Sequence, residues 1–292
     1  MKLLLATDLS SSSPVVQAAV DRPWPAGTTV CLLHVLDLPP FPTANGIEDV
    51  ARDSAECAMK PMAEELKKAG LSAQTEVVTF GQPRVSITDY AKKWGADLIF
   101  VGSHRASGLT RFLLGSTAQG VVRSAPCSVE VVRGTGSSAG KAMKILVATD
   151  GSDCATKAVR SLGQSLWPQG TVVRLISVAP QYVPIPTLSV PYLNSEMVAR
   201  ESASFDLESK SRAKTALGDA RILLNQLGVE QLELAEVTSG EPKVLILTEA
   251  DDWKADLIVM GSHGWHGVDR LLMGSVSESV AMHAHCSVRV VR

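Results

Sequence analysis

The chain contains an internal repeat. Three segments of its first half return in the same order in its second half, with four of six, seven of nine and six of seven residues identical. The copies are 142 residues apart at the first segment and 159 at the other two, so the second copy is the longer one. A repeat of this length predicts two copies of one domain. The paired segments are Leu3–Asp8 with Ile145–Asp150, Ala96–His104 with Ala255–His263, and Cys127–Arg133 with Cys286–Arg292.

Two stretches lie outside the repeated pattern. The stretch Gly134–Gly140 (GTGSSAG) is rich in glycine and serine and predicts a flexible tether. We therefore predict a first domain at 1–134, a linker at 135–142 and a second domain at 143–292. The extra residues of the second copy predict an extended loop, whose role the sequence does not indicate, because they include four prolines: Pro180, Pro184, Pro186 and Pro191.

Short β-branched runs alternate in each copy with longer stretches that have apolar residues at helical spacing. One helical stretch includes Leu217 and Leu224 and ends at Gly228, a predicted C-cap. This alternation predicts an α/β fold in each copy, with a doubly wound, five-stranded parallel sheet covered by helices on both faces. Ligands of such sheets bind outside the carboxyl ends of the strands. The predicted strands of the second copy are Lys144–Thr149, Thr171–Val178, Glu230–Thr238, Asp256–Met260 and Ser287–Val291.

A glycine loop follows the fourth predicted strand of the second copy. The residues Gly261-Ser262-His263-Gly264 are followed by nine residues and then by Gly274-Ser275. Glycines at a strand end let backbone N–H groups approach a phosphate, and Ser275 with Glu278 predicts a capping box at a helix start. That helix start would be an anion site. The alternative is that the glycines only form tight turns and the serine only caps.

Asp150 ends the first strand of the second copy, and its carboxylate has two interpretations. It could accept a hydrogen bond from a ribose hydroxyl or bind a divalent metal that bridges phosphates. Alternatively, Asp150-Gly151-Ser152 is a strand-to-helix turn whose polar residues cap the next helix. The sequence leaves both interpretations open.

Several classes of protein are excluded or disfavoured. Neither GxxxxGK[ST] nor GxGxxG after the first strand is present, which excludes an ordinary P-loop ATPase and a dinucleotide dehydrogenase. The 28 basic and 30 acidic residues nearly balance, so we expect no nucleic acid or membrane partner. No apolar run approaches the ~20 residues of a membrane helix, and the five cysteines form no CxxC. We therefore expect a cytoplasmic protein with buried thiols.

The Thr-Asp pair at the first strand end, the GSHG-x9-GS loop and the closing CSVRVVR strand together resemble the universal stress protein family, as a tandem pair over nearly the whole chain. The resemblance implies a Rossmann-like domain that binds ATP with Mg, or ADP or AMP in its place. It also implies a homodimer through the last strands, here Ser128–Val132 and Ser287–Val291, although in a tandem chain the two copies could pair with each other. The implied site residues are Thr149, Asp150 (ribose or Mg), Val178 (adenine), Gly261, Ser262, His263, Gly264, Gly274, Ser275, Val276 and Ser277.

The first copy departs from this motif. Arg105 stands where the second copy has Gly264, and Leu9 stands where it has Gly151. If Gly264 is needed for a positive φ or for close approach of phosphate, Arg105 prevents both, although its guanidinium could contact phosphate from the side. Ser116 with Gln119 still predicts a capping box. We predict a weakened or empty first site, formed by Thr7, Asp8, Val35, Gly102, His104, Arg105, Gly115, Ser116 and Thr117.

The remaining polar residues do not predict a fast enzyme. His104 and His263 could act as general acids or could orient the loop by bonding a backbone carbonyl, and we favour the second interpretation. His283 and His285 are two residues apart, a spacing that disfavours a metal site on a helix. No nucleophile with a base is evident. The leading hypothesis is an ATP-binding regulator, and the alternatives are a slow ATPase using Asp150 and His263 or a nucleotide-free scaffold.

Overall fold

The computed structural model describes residues 1–10, 13–37, 47–79, 81–103, 114–134, 140–181, 195–264 and 273–292, and it describes only the backbone of 195–199. His104, Arg105, Trp265, most of the linker and most of the proline-rich loop lie outside these residues. The first half contains β1 (Lys2–Ala6), α1 (Pro14–Val20), β2 (Thr29–Leu36), α2 (Ile47–Lys68), β3 (Ser72–Thr79), α3 (Pro83–Trp94), β4 (Leu98–Gly102), α4 (Ser116–Ser124) and β5 (Ser128–Val132).

The second half repeats this order with two added short strands. Its elements are β6 (Lys144–Ala148), α5 (Asp153–Gly163), β7 (Val172–Ile176), β8 (Val178–Pro180), α6 (Ser195–Gln226), β9 (Leu232–Leu234), β10 (Thr238–Gly240), α7 (Pro242–Trp253), β11 (Leu257–Gly261), α8 (Ser275–His283) and β12 (Ser287–Val291). The helix α6 closes in a Schellman motif, because Gly228 has a φ of +82° and the N–H of Val229 donates to the carbonyl of Leu224. The predicted C-cap is therefore confirmed.

Ten strands form one sheet in the order β3-β2-β1-β4-β5-β12-β11-β6-β7-β9. Each half supplies five parallel strands in the same order, which confirms the predicted fold class. The closing strands, our term for β5 and β12, pair antiparallel and join the two halves. Both closing strands have a neighbour on each side, so neither presents a free edge to a second chain. Formation of a homodimer remains a prediction.

The core has one continuous layer and two separate ones. On one face, apolar residues from both halves form a single cluster in which Val129 and Val288 of the closing strands take part. On the other face, α1 and α2 cover the first half and α5 and α6 cover the second, each with its own cluster. Strands buried on both faces explain the unbroken apolar runs of the sequence, such as Leu3-Leu4-Leu5 with 0% exposure. None of the described helices is both long and apolar enough to span a membrane.

The second half differs from the first at its outer strands. In the first half β2 and β3 pair over eight residues, whereas β7 and β9 pair over three. The predicted strands Thr171–Val178 and Glu230–Thr238 are each interrupted, because the chain leaves the main sheet and β8 pairs with β10 in a separate two-stranded ladder. This ladder places Val178 and Pro180 beside a cavity at the carboxyl end of the sheet.

Candidate functional site

A cavity of about 570 Å³ lies in the second half at the carboxyl ends of β6 and β11 and at the start of α8. Its place is the one expected for a ligand site in a doubly wound sheet. Ser262, although predicted with the site, does not line the cavity and is 2% exposed. The other predicted residues of the second half line it together: Thr149, Asp150, Val178, Gly261, His263, Gly264, Gly274, Ser275, Val276 and Ser277.

The turn after β6 brings Asp150 to the cavity. Asp150 Oδ1 accepts a hydrogen bond from the N–H of Ser152 (3.0 Å), and Thr149 Oγ1 accepts one from the N–H of Gly151 (3.2 Å). Gly151 has a φ of +79°, which a glycine adopts without strain. Ser152 caps α5 by accepting from the N–H of Ala155. The interpretation as a capping turn is therefore confirmed, and this turn also positions the Asp150 carboxylate at the cavity.

A side chain at either of two loop glycines would meet a neighbouring group, which is fixed backbone at Gly261 and a side chain at Gly264. A Cβ on Gly261 would lie 2.6 Å from the backbone carbon of Cys154, at the start of α5. A Cβ on Gly264 would lie 2.5 Å from Oδ2 of Asp150. Gly264 does not have a φ in the left-handed region, so one of the two reasons suggested for a glycine at this position, positive φ, is wrong. Its lack of a side chain leaves room for the Asp150 carboxylate.

The start of α8 is arranged differently from the sequence prediction. Gly274 is the N-cap, its N–H donates to the carbonyl of Ser262 (2.8 Å), and Ser275 is the first residue of the helix. The predicted capping box is therefore wrong, because Ser275 lies one position too late to cap and the Glu278 carboxylate instead bonds Arg123 of α4. The N–H groups of the first turn still have no acceptor within the helix, so this end remains suited to an anion.

The hydroxyl of Ser277 contributes to the packing of the loop. Ser277 is 4% exposed, and its Oγ lies 2.9 Å from the carbonyl oxygen of Gly261 and 3.1 Å from that of Ser262. This hydroxyl hydrogen therefore points toward backbone carbonyls, which ties the first turn of α8 to the glycine loop. Contact of Ser277 with a ligand would have to use its backbone N–H.

His263 is held as a neutral side chain. Its Nδ1 lies 2.9 Å from Oγ of Ser262, so the ring bonds a hydroxyl and not the backbone carbonyl that was expected. Burial and the positive charge of Arg292 lower the pKa of His263 below its ordinary value of 6.5. A neutral imidazole supplies no positive charge to a phosphate at neutral pH. Arg292 itself donates to the carbonyl oxygens of Val122 and Arg123 in α4 of the first half.

The sequence analysis missed the contribution of α6 and α7 to the cavity. Ser209, Arg212 and Ala213 of α6 and Ile246 of α7 line it. Among the lining residues that the structure describes, Arg212 is the only arginine or lysine and Asp150 is the only carboxylate. No sequence signal distinguishes Arg212, because α6 has many charged residues at similar spacing. Its place at the cavity follows only from the long-range packing of α6 over β8.

The equivalent region of the first half retains part of this geometry. Asp8 Oδ1 accepts from the N–H of Ser10 (3.1 Å), as Asp150 does from Ser152, and the N–H of Gly115 donates to the carbonyl of Ser103 (2.8 Å). Leu9 adopts a φ of +64° where Gly151 stands in the second half. Here too the predicted capping box is wrong, because Gly115 is the N-cap and the Gln119 amide contacts Met282.

The other residues predicted for the first site are spread over the same strand ends. Thr7 is buried after β1, Val35 packs against the shared core near the end of β2, and Gly102 ends β4. Ser116 and Thr117 begin α4. His104 and Arg105 lie outside the described residues, so a weakened first site remains a prediction.

His283, His285 and two tryptophans contact neighbouring groups. His283 Nδ1 lies 2.8 Å from the carbonyl oxygen of Ser279, whereas His285 Nδ1 lies 2.9 Å from Oδ1 of Asp251. The two histidines thus face different partners. The indole N–H groups of Trp24 and Trp167 donate to carbonyl oxygens at the ends of α1 and α5.

Comparison with known proteins identifies the family. The model of the universal stress protein family matches residues 1–133 and again residues 141–292. The chain is 29% identical over 279 residues to a universal stress protein of Mycolicibacterium smegmatis, covering 95% of this chain and 85% of that protein. It is 35% identical over 137 residues to universal stress protein A homolog 2 of Coxiella burnetii, covering 46% of this chain and 93% of that protein.

The solved structures agree at the level of the fold. The crystal structure of a universal stress protein from Archaeoglobus fulgidus superimposes with a TM-score of 0.70 at 23% identity and covers 100% of this chain and 98% of that one. Two matches of the family model, arranged in tandem over nearly all residues, agree with the repeat and with the two five-stranded halves of the sheet. The chain belongs to the universal stress protein family, in a tandem two-domain form.

Proposed function

We propose that the second half binds ATP with Mg and that the protein is a cytoplasmic, nucleotide-responsive regulator. The observation that carries this proposal is the cavity in which the first turn of α8, the glycine loop and Asp150 meet. Its volume of about 570 Å³ lies within the range of small-ligand sites. We place the domain limits at 1–134 and 143–292, with 135–142 as the linker.

The phosphates would lie at the start of α8. The N–H groups of Ser275, Val276 and Ser277 and the positive end of the helix dipole favour an anion there. Gly264 and Gly274 leave space at the loop: a Cβ on Gly274 would lie 3.2 Å from the Ser262 carbonyl oxygen. Magnesium is commonly held by one or two carboxylates together with substrate phosphates, and Asp150 fits that role. In this position, Mg would neutralise phosphate charge.

The nucleoside would lie against apolar side chains of the cavity. Ile176, Val178, Ile246 and Met260 are among the lining residues, and an adenine ring packs well on such side chains. Val178 is half-buried at the start of β8, in the position proposed for the base. Arg212 could approach either the phosphates or the ribose from α6. The same cavity would accept ADP or AMP in place of ATP.

A regulatory role is favoured over rapid catalysis. The lowered pKa of His263 leaves it unprotonated at neutral pH, so it is poorly suited to act as a general acid there. The helix that would hold the phosphates also contacts the first half, where Glu278 bonds Arg123 and Met282 contacts Gln119. A nucleotide that changes the position of α8 would therefore alter contacts between the halves. Such a switch needs different nucleotide affinities in its two states.

Calorimetric titration of nucleotide-stripped protein with Mg-ATP tests the proposal. We expect one site per chain in the wild type and its loss in Gly264→Arg, which copies the residue of the first half into the second. The arginine would displace the Asp150 carboxylate from the loop. Absence of heat in the wild type, together with no binding in equilibrium dialysis, would refute ATP binding and favour a nucleotide-independent scaffold.

A further inference from the structure

A cluster of buried charges lies where the two halves meet. Glu130 of β5 is 0% exposed and lies between two arginines. Arg289 Nε of β12 is 2.9 Å from Glu130 Oε2, and Arg22 Nη1, just after α1, is 2.7 Å from Glu130 Oε1. Burial alone would raise the pKa of Glu130, but the two guanidinium groups outweigh it and keep the pKa below its ordinary value. The cluster therefore contains a carboxylate and two cations.

Glu130 and Arg289 occupy equivalent positions of the repeat. The closing segments read CSVEVVR and CSVRVVR, and this pair is their only difference. In the sheet Arg289 stands directly opposite Glu130, with Val131 opposite Val288 and Val129 opposite Val290. The two closing strands are thus related by a local twofold axis that passes between Glu130 and Arg289. This is the one position at which the two strands carry opposite charges.

If two copies of the same closing strand paired in this register, opposite charges would no longer face each other at the central position. Two copies of β12 would place Arg289 against Arg289 of a second copy, inside a sheet and without an acid from either strand. Two copies of β5 would place Glu130 against Glu130 of a second copy, each with only its own Arg22 instead of two arginines. Like charges directly opposite one another destabilise a strand pair, and buried charges without a partner are strongly disfavoured.

The side chains around the cluster also come from different halves. The Trp167 ring, from the loop after α5, has Arg22 at 5.7 Å and Arg289 at 5.1 Å from its centre to the guanidinium carbon. Arg22 belongs to the first half, whereas Trp167 and Arg289 belong to the second. Only an unlike pair brings all four side chains together.

We propose that Glu130 and Arg289 make the seam, our term for the paired closing strands, selective for unlike halves. The strand β5 then pairs with β12 in preference to a second β5. The partner that this surface fits is a closing strand with the opposite charge at the central position, which the chain itself supplies. The selectivity directs the chain to close on itself and disfavours assembly through like strands. It does not depend on nucleotide binding.

A disulfide reporter in the full-length chain tests this selectivity. Val129→Cys with Val290→Cys places two thiols directly opposite each other across the seam, and a chain without these substitutions controls for the native cysteines. After mild oxidation we expect an intrachain bond, seen on a non-reducing gel as a monomer band that migrates faster than the reduced chain. Its yield should fall at least fivefold in Glu130→Arg and in Arg289→Glu. It should return to within twofold in the double charge swap made together with Arg22→Gln, because Arg22 would otherwise face the new arginine at position 130.

Equal cross-linking in the single reversals and in the parent would overturn the proposal. If a single reversal fails to fold, the double swap decides alone: recovery of the intrachain bond supports the proposal, and failure to recover it contradicts it. A second measurement refolds Glu130→Arg, made together with Arg22→Gln, and Arg289→Glu in one mixture. We expect a one-to-one dimer in sedimentation velocity that neither variant forms alone, whereas equal dimerisation of the separate variants would contradict selectivity.

Discussion

Gly264 lies next to the Asp150 carboxylate: a Cβ on Gly264 would lie 2.5 Å from Oδ2 of Asp150. This relationship places the glycine loop beside the end of β6, so the two parts of the sequence motif lie together in the fold. A side chain after His263 would require the Asp150 carboxylate to shift from this position. The first half has Arg105 at the equivalent position.

We expect Gly264→Ala to weaken Mg-ATP binding by about tenfold, or ~1.4 kcal/mol, because the new methyl group displaces the carboxylate that would hold Mg. Calorimetric titration measures the change. If Gly264 acts through Asp150, the double variant Gly264→Ala/Asp150→Ala should bind no more weakly than Asp150→Ala alone. Fully additive losses in this double-mutant cycle would show that the two residues act independently.

The protonation of His263 should depend on Arg292. Burial and the charge of Arg292 lower the pKa of His263 below 6.5, so the folded state favours the neutral ring. The stability that this group contributes is therefore present above the unfolded pKa of about 6.5 and is lost as the pH falls through the lower folded pKa. Replacement of His263 by Gln should reduce this part of the pH dependence of the free energy of unfolding.

NMR titration of the His263 ring protons checks the cause of the shift. In Arg292→Gln we expect the pKa of His263 to rise toward 6.5, because one positive charge is removed while the loop remains in place. Lys157→Gln, on the exposed surface of α5, serves as a charge-matched control and should leave the titration unchanged. An identical His263 pKa in wild type and Arg292→Gln would exclude the proposed electrostatic effect.

One substitution type should have opposite effects at two glycines of the second half. Gly151 has a φ of +79°, so Gly151→Ala forces an alanine into the left-handed region and should lower Tm by about 2–4 °C. Gly218 lies within α6 with no atom near its added Cβ, so Gly218→Ala should raise Tm by a similar amount, about 2–4 °C. Differential scanning calorimetry measures both changes. Equal shifts of the same sign would contradict this account.

The sequence predicts the features that depend on local pattern and on the repeat. The first, fourth and fifth strands of the second half, the two five-stranded halves and the position of Gly228 follow from short segments, and ten predicted site residues line one cavity. The predicted capping boxes were wrong because serine and glycine are both good N-cap residues. At α8 the hydrogen bond from the Gly274 N–H to the Ser262 carbonyl makes Gly274 the N-cap. Glu278 then bonds Arg123, a residue 155 positions away.

The features that the sequence did not predict depend on contacts between distant segments. In the sequence Arg212 resembles its charged neighbours in α6. Only the packing of this helix over β8 places it at the cavity. The difference between Glu130 and Arg289 was visible as one mismatch between two copies, but its meaning requires the register in which the two residues face each other. The interruption of the outer strands likewise depends on the separate pairing of β8 with β10.

The most direct test of nucleotide binding by the second half compares Gly274→Val with Gly115→Val. The two glycines have a matched nearest contact, because a Cβ would lie 3.2 Å from the Ser262 carbonyl oxygen at Gly274 and 3.3 Å from that of Ser103 at Gly115. Equilibrium dialysis with Mg-ATP should give one site per chain in wild type and in Gly115→Val, and none in Gly274→Val. Loss of binding only in Gly115→Val, or unchanged binding in both variants, would contradict the assignment of the site to the second half.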